Sequence, residues 1–110
     1  MIDLVKIRQE IIHLLKNLKL YKVLVFGSYA YGKVNDESDV DMLVILDKKG
    51  VSNNYAEMLQ NKTAVSRQLR ELRKRIPIDL LVYTLDEWTI LQNSGSSFFE
   101  QIETKGVQLI

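Results

Sequence analysis

Four acidic or turn-forming features in this 110-residue chain have the types and spacing to do chemistry. Gly27-Ser28 follows an apolar run, Asp39 and Asp41 stand two apart, and Asp79 lies inside a later apolar run. Gly27 lets a ligand approach the main chain closely, and Ser28 is a good helix N-cap. A strand that feeds Gly-Ser at a helix start leaves backbone N–H groups pointing outward, which suits a phosphate. Tyr29-Ala30-Tyr31 has the length of one helical turn, closed by Gly32. By itself such a turn is weak evidence.

The acid pair sharpens it. Asp39 and Asp41 open DVDMLVIL, which reads as a strand. Side chains in a strand repeat with period two, so both carboxylates share a face. Two carboxylates about 5 Å apart repel by roughly 3 kcal/mol at an effective dielectric near 20. A cation between them removes that cost, and hard oxygen ligands favour Mg²⁺ or Mn²⁺. An isolated pair also reads as a loop end, Asp39, followed by one strand residue, Asp41. Asp79 bears on the choice, although alone it reads as a strand-start residue in contact with solvent, two residues after Pro77. It interrupts the apolar run IDLLVYT (78–84), and a carboxylate there is costly unless paired or ligated. If that strand lies beside the second, Asp79 joins Asp39 and Asp41. Three acids facing a phosphate-binding turn make a two-metal site for phosphoryl or nucleotidyl transfer.

These residues together resemble the GS-x10-DxD signature of the DNA polymerase β-like nucleotidyltransferases: Gly27-Ser28, ten residues, then Asp39 and Asp41. The small size is similar to that of the minimal nucleotidyltransferases, the antitoxin partners of HEPN-domain toxins. The resemblance runs from Leu20 to Leu109. It implies an α+β nucleotidyltransferase fold of the polymerase β palm type, with a mixed β-sheet packed against helices. It implies ATP as substrate, with AMP transferred to a tyrosine hydroxyl of a HEPN toxin. Gly27, Ser28 and Lys33 would bind the nucleotide phosphates. Asp39, Asp41 and Asp79 would be catalytic and would hold two Mg²⁺. The chain would be the antitoxin in a hetero-oligomer with its toxin. Many relatives carry a basic residue in the turn where this chain has Tyr31, and Lys33 is placed to supply the charge. Two alternatives belong with this reading: a small-molecule adenylyltransferase of the aminoglycoside type, and an antitoxin that neutralises its partner by binding alone.

Composition bounds the rest. The length fits one domain over 1–110, and 46% hydrophobic residues fit a globular chain. A net charge of +1 gives no field for direct nucleic-acid binding. The absence of cysteine excludes disulfides and thiolate zinc sites and fits a reducing cytoplasm. No apolar run approaches the ~20 residues of a membrane span, and no signal-type apolar segment opens the chain.

The elements that must position the site follow from periodicity. Leu4, Ile7, Ile11, Leu14 and Leu18 set a helix over 2–18, its apolar face widened by Val5, Ile12 and Leu15. His13 falls on the solvated side and has no assigned role. Tyr21–Phe26 is a strand. Asp36 and Glu37 read as loop residues over the site. A helix over 54–75 is capped by Asn54, buries Tyr55, Met58, Val65, Leu69, Leu72 and Ile76, and crowds Arg67, Arg70, Arg73, Lys74 and Arg75 at its far end. Those cations suit the macrodipole first and an anion or partner surface second. Pro77 stops the helix and opens the third strand. Thr84 and Glu87 form a capping box for a short helix to Gln92, with Trp88 in the core. Ser97 with Glu100 caps a last helix, and 107–110 form a short strand or ordered tail.

Overall fold

The computed structural model describes residues 4–27, 30, 39–52 and 54–110. Ser28, Lys33, Tyr31, Asp36 and Glu37 lie outside the described residues. The order of elements is α1 (Leu4–Leu14), β1 (Leu20–Phe26), β2 (Val40–Leu46), α2 (Tyr55–Gln68), α3 (Arg70–Arg75), β3 (Ile78–Thr84), α4 (Leu85–Gln92), α5 (Ser97–Lys105) and β4 (Val107–Gln108). The four strands form one mixed sheet in the order β3-β2-β1-β4. β1 runs antiparallel to β2 and to β4, whereas β2 and β3 are parallel. Helices on both faces make this the expected α+β nucleotidyltransferase-type architecture.

The period-two alternation of the strands divides the core in two. Val23, Val25, Val40, Met42, Val44, Ile78 and Leu80 turn to one face, where they meet Ile7, Ile11 and Leu15 of the α1 region and Val65, Leu69 and Leu72 of the long helical segment. Leu24, Phe26, Leu43 and Ile45 turn to the other, under Trp88 of α4 and Ile102 of α5. β1 and β2 therefore read as continuous apolar runs because both of their faces are covered.

The helices depart from the sequence reading in instructive ways. α1 ends at Leu14, and Leu15–Leu18 form turns that still bury Leu15. Val5 and Ile12 are exposed and do not widen the buried face. The long helix is two, broken at Leu69 (φ −92°, ψ 6°), where the bend keeps Val65, Leu69 and Leu72 all in the core. Neither Gly nor Pro marks that break. Asn54 caps α2 as expected, its Oδ1 accepting from the Glu57 N–H at 2.9 Å. Tyr55 and Met58 are exposed, not buried. Their turns flank β3, which is the edge strand, so the sheet has nothing beyond it to cover them.

The Thr84–Glu87 capping box is present in both directions: Thr84 Oγ1 accepts from the Glu87 N–H at 3.1 Å, and Glu87 Oε1 accepts from the Thr84 N–H at 2.9 Å. Thr84 Oγ1 also donates to the Gly50 carbonyl at 2.7 Å, tying the loop after β2 to the start of α4. α5 begins at Ser97 itself, so the N-cap position falls one residue earlier than expected, on Ser96, with no side-chain bond. The closing segment pairs as β4, and the Leu109 N–H donates to the Val23 carbonyl at 2.8 Å.

Candidate active site

β1 and β2 bring their ends together at one rim of the sheet. Phe26, the last residue of β1, pairs with Asp41, the second residue of β2. Asp41 in turn pairs with Asp79, the second residue of β3. Paired residues of neighbouring strands share a sheet face. Phe26, Asp41 and Asp79 therefore stand in a row across three strands, on the face covered further along by α4 and α5. Asp39 sits just before β2, outside the strand that was expected to carry both acids, and its charge acts on Asp41. The structure thus brings Asp39, Asp41 and Asp79 to one rim, with Asp39 and Asp79 exposed and Asp41 half-buried.

Gly27 closes the rim from the β1 side. Its φ is +70°, in the left-handed region that L-residues resist. A β-carbon there would stand 2.1 Å from Oδ2 of Asp41. The carboxylate occupies the volume that any other residue would need. Gly27 also starts a turn, because its carbonyl accepts from the Ala30 N–H at 3.0 Å. Sequence reasoning assigned Gly27 to ligand approach and missed that it makes room for Asp41. No signal could have shown this before the β1–β2 register was known. The same register exposes Phe26 as the direct neighbour of Asp41, also unmarked in sequence. Ser28 and Lys33, the other expected phosphate ligands, lie outside the described residues.

Electrostatics single out the central acid. Burial, then the charge of Asp79, then that of Asp39 raise the Asp41 carboxyl above its usual range. Each cause disfavours the anion, and a cation would counter all three. The oxygen-only donors are those that hard divalent cations prefer. Among the described residues no three acidic or imidazole side chains are gathered at ligating distance. Carboxylates of like charge favour rotamers that separate them. What the backbone supplies is the placement: three acids on one rim, two of them in direct register.

The basic cluster has a separate place. α2 and α3 pack on the opposite sheet face from the aspartates. Arg73 donates to Ser66 Oγ and to the Ile78 carbonyl, Lys74 pairs with Glu71, and Arg75 pairs with Glu10 of α1. Arg67 and Arg70 line an open hollow of about 410 Å³ with Lys62, Thr63 and Ser66. That hollow lies along α2 and the start of α3, the helices that pack on the sheet face opposite the aspartates. His13 is exposed, as expected. Among the described residues no helix is long and apolar enough to cross a membrane.

Known proteins resemble this chain in sequence and fold. The model of the family "Polymerase beta, Nucleotidyltransferase" matches residues 9–109. A Methanocaldococcus jannaschii protein named "Putative protein adenylyltransferase MJ0141" is 28% identical over 109 residues, spanning 98% of this chain and 97% of its own length. A crystal structure of a toxin–antitoxin with AMP-PNP superposes with a TM-score of 0.59 at 25% identity, over 94% of this chain and 72% of that one. Two others share the fold at lower identity. The MntA-HpeT toxin–antitoxin mutant superposes at 0.56 and 23% identity, over 94% of this chain and 71% of that one. A Sulfolobus solfataricus protein does so at 0.59 and 22%, over 96% and 77%. The family match takes in β1 through β4, the Gly27 turn and all three aspartates, and the chain belongs to the polymerase β nucleotidyltransferase family.

Proposed function

We propose that this nucleotidyltransferase moves AMP from ATP onto a hydroxyl of a partner protein, and that the acidic rim is where it does so. The observation that carries the reading is the grouping of Gly27, Asp41 and Asp79: a positive-φ glycine packed on one carboxylate, with a second carboxylate in register beside it.

In this reading the Gly27 turn, with Ser28 and Lys33, holds the β- and γ-phosphates. Asp39 and Asp41 hold the metal that accompanies the nucleotide. Asp41 and Asp79 hold a second metal on the β3 side. Mg²⁺ fits these oxygen donors and, when bound, lowers the pKa of the acceptor hydroxyl and offsets charge at the α-phosphate. The aspartates orient the acceptor oxygen in line with the bond to the leaving group. The hydroxyl gives its proton to the Asp79 carboxylate as the oxygen–phosphorus bond forms, the α–β phosphoanhydride bond breaks, and pyrophosphate leaves. Burial and the two neighbouring acids disfavour the Asp41 anion, and a bound cation would offset that.

The acceptor class rests on the relatives. The name of the Methanocaldococcus jannaschii protein and the toxin–antitoxin neighbour with AMP-PNP support a protein acceptor and an antitoxin role. We take the acceptor to be a tyrosine of a HEPN-domain toxin, silenced by the modification.

The test is direct. Purified protein is mixed with Mg²⁺, α-labelled ATP and the product of the neighbouring gene, with Asp41→Asn as control. Gain of AMP mass on the partner, absent with the variant, supports the reading. A stable complex without transfer points instead to an antitoxin that works by contact alone.

A further inference from the structure

Phe98, in the first turn of α5, is 48% exposed although it belongs to an aromatic chain that runs into the core. Its ring meets Phe26 edge-to-face, with centroids 5.8 Å apart and planes at 87°. It meets Phe99 at 5.2 Å and 73°, and Phe99 continues to Trp88 at 5.9 Å. An exposed phenylalanine is ordinary by itself. This one is held from two sides by rings that are themselves packed, so its orientation is set in advance.

Its position gives that ring a use. Phe26 is 8% exposed, pairs with Asp41 and immediately precedes Gly27. Phe98 therefore stands beside the proposed phosphate turn, on the β1 side of Asp41. Asp79 lies on the other side, on β3. If Asp79 faces the acceptor, the β1 side is left for the nucleotide.

We propose that Phe98 is a binding residue for the nucleobase of the transferred nucleotide, presenting its exposed ring as a stacking surface. The proposal rests on Asp41 marking the nucleotide site. Stacking on an aromatic face is tolerant of base identity, because every base has a π-face. The ring would thus add affinity for a nucleoside triphosphate without reading hydrogen bonds. It would add nothing for the triphosphate chain alone.

The experiment compares two probes by calorimetry with Mg²⁺ present: α,β-methylene-ATP, which cannot react, and inorganic tripolyphosphate, which has no base. Phe98→Ala should weaken α,β-methylene-ATP roughly tenfold, the lower part of the range for loss of one base–aromatic stack, and leave tripolyphosphate unchanged. Phe98→Leu, which keeps apolar bulk and the support of Phe26, should weaken the nucleotide similarly. Phe98→Tyr should bind like the native protein. Phe98→Trp should show fluorescence quenched by nucleotide, on top of the signal from buried Trp88. Unchanged nucleotide affinity in Phe98→Leu would overturn the proposal. So would equal losses for both probes, which would place the effect on the phosphate turn through Phe26, or lost transfer at unchanged nucleotide affinity, which would place the ring at the acceptor. Asp41→Asn tests the underlying site separately: if it leaves metal-dependent binding of both probes intact, the site reading fails whatever Phe98 does.

Discussion

The Asp41 carboxylate lies where a side chain on Gly27 would begin, with Oδ2 2.1 Å from the position of the missing β-carbon. One end of β1 has thus given up a side chain so that one acid of β2 can sit against its backbone. The glycine proposed to border the phosphate site and the carboxylate proposed to hold the metal are parts of one packed unit.

Gly27→Ala should therefore fail twice. It forces a methyl into the carboxylate and places an L-residue at φ +70°. Chemical denaturation should show a loss of about 1–3 kcal/mol, and transfer should fall to background. Adding Asp41→Gly to it should restore part of the stability, because the clash goes and the backbone strain stays. Strict additivity of the two changes in a double-mutant cycle would show that the contact carries no energy.

Asp41→Asn should abolish transfer and leave the metal-free fold as stable as before or more so. Asp41 titrates above its usual range in the folded chain, from burial first and then from Asp79 and Asp39. A raised carboxyl pKa means that the folded state holds its proton more tightly than the unfolded state. That contribution to stability is complete below the unfolded value and is lost as pH rises through the raised folded value. Melting curves of metal-free native protein and Asp41→Asn should coincide more closely at acid pH and separate at neutral pH, with the variant higher. A native protein that melts higher than the variant at neutral pH would contradict the repulsion.

Mg²⁺ with ATP should raise the melting temperature more than either alone, since ligands bound only by the folded state stabilise it by mass action. Asp41→Asn should lose most of that gain. Equal shifts in the two proteins over a millimolar range of Mg²⁺ would separate nucleotide binding from the acidic rim.

Thr84→Ala removes an N-cap acceptor and the bond to the Gly50 carbonyl, far from the rim. The expected cost is about 0.5–2 kcal/mol, read by urea denaturation. Nucleotide affinity should not change, because Thr84 ends β3 at the opposite end from Asp79.

Much of this was legible in the chain itself. Strands β1, β2 and β3 announce themselves as short β-branched runs, Asn54 and Thr84 as caps, and Gly27 with Asp39 and Asp41 as a turn followed by an acid pair. These signals are local: they depend on backbone preference and on periods of two and 3.6, which neighbouring residues carry. The break at Leu69 and the exposure of Tyr55 and Met58 were not legible, because apolar spacing is the same whether the sheet extends beneath it or stops at an edge strand.

By itself the sequence determined the residue types of the site, the spacing of the acid pair, the turn before it and the helices and strands that carry them. Tertiary structure alone decided that β3 lies parallel beside β2 with Asp79 opposite Asp41, that Gly27 yields its side-chain volume to Asp41, and that Phe98 packs on Phe26, the strand neighbour of Asp41. The physical reason is register. A slip of one residue sends every side chain of a strand to the other face. Burial of both sheet faces against separate helices is what sets that register, and no local stretch of the chain contains it.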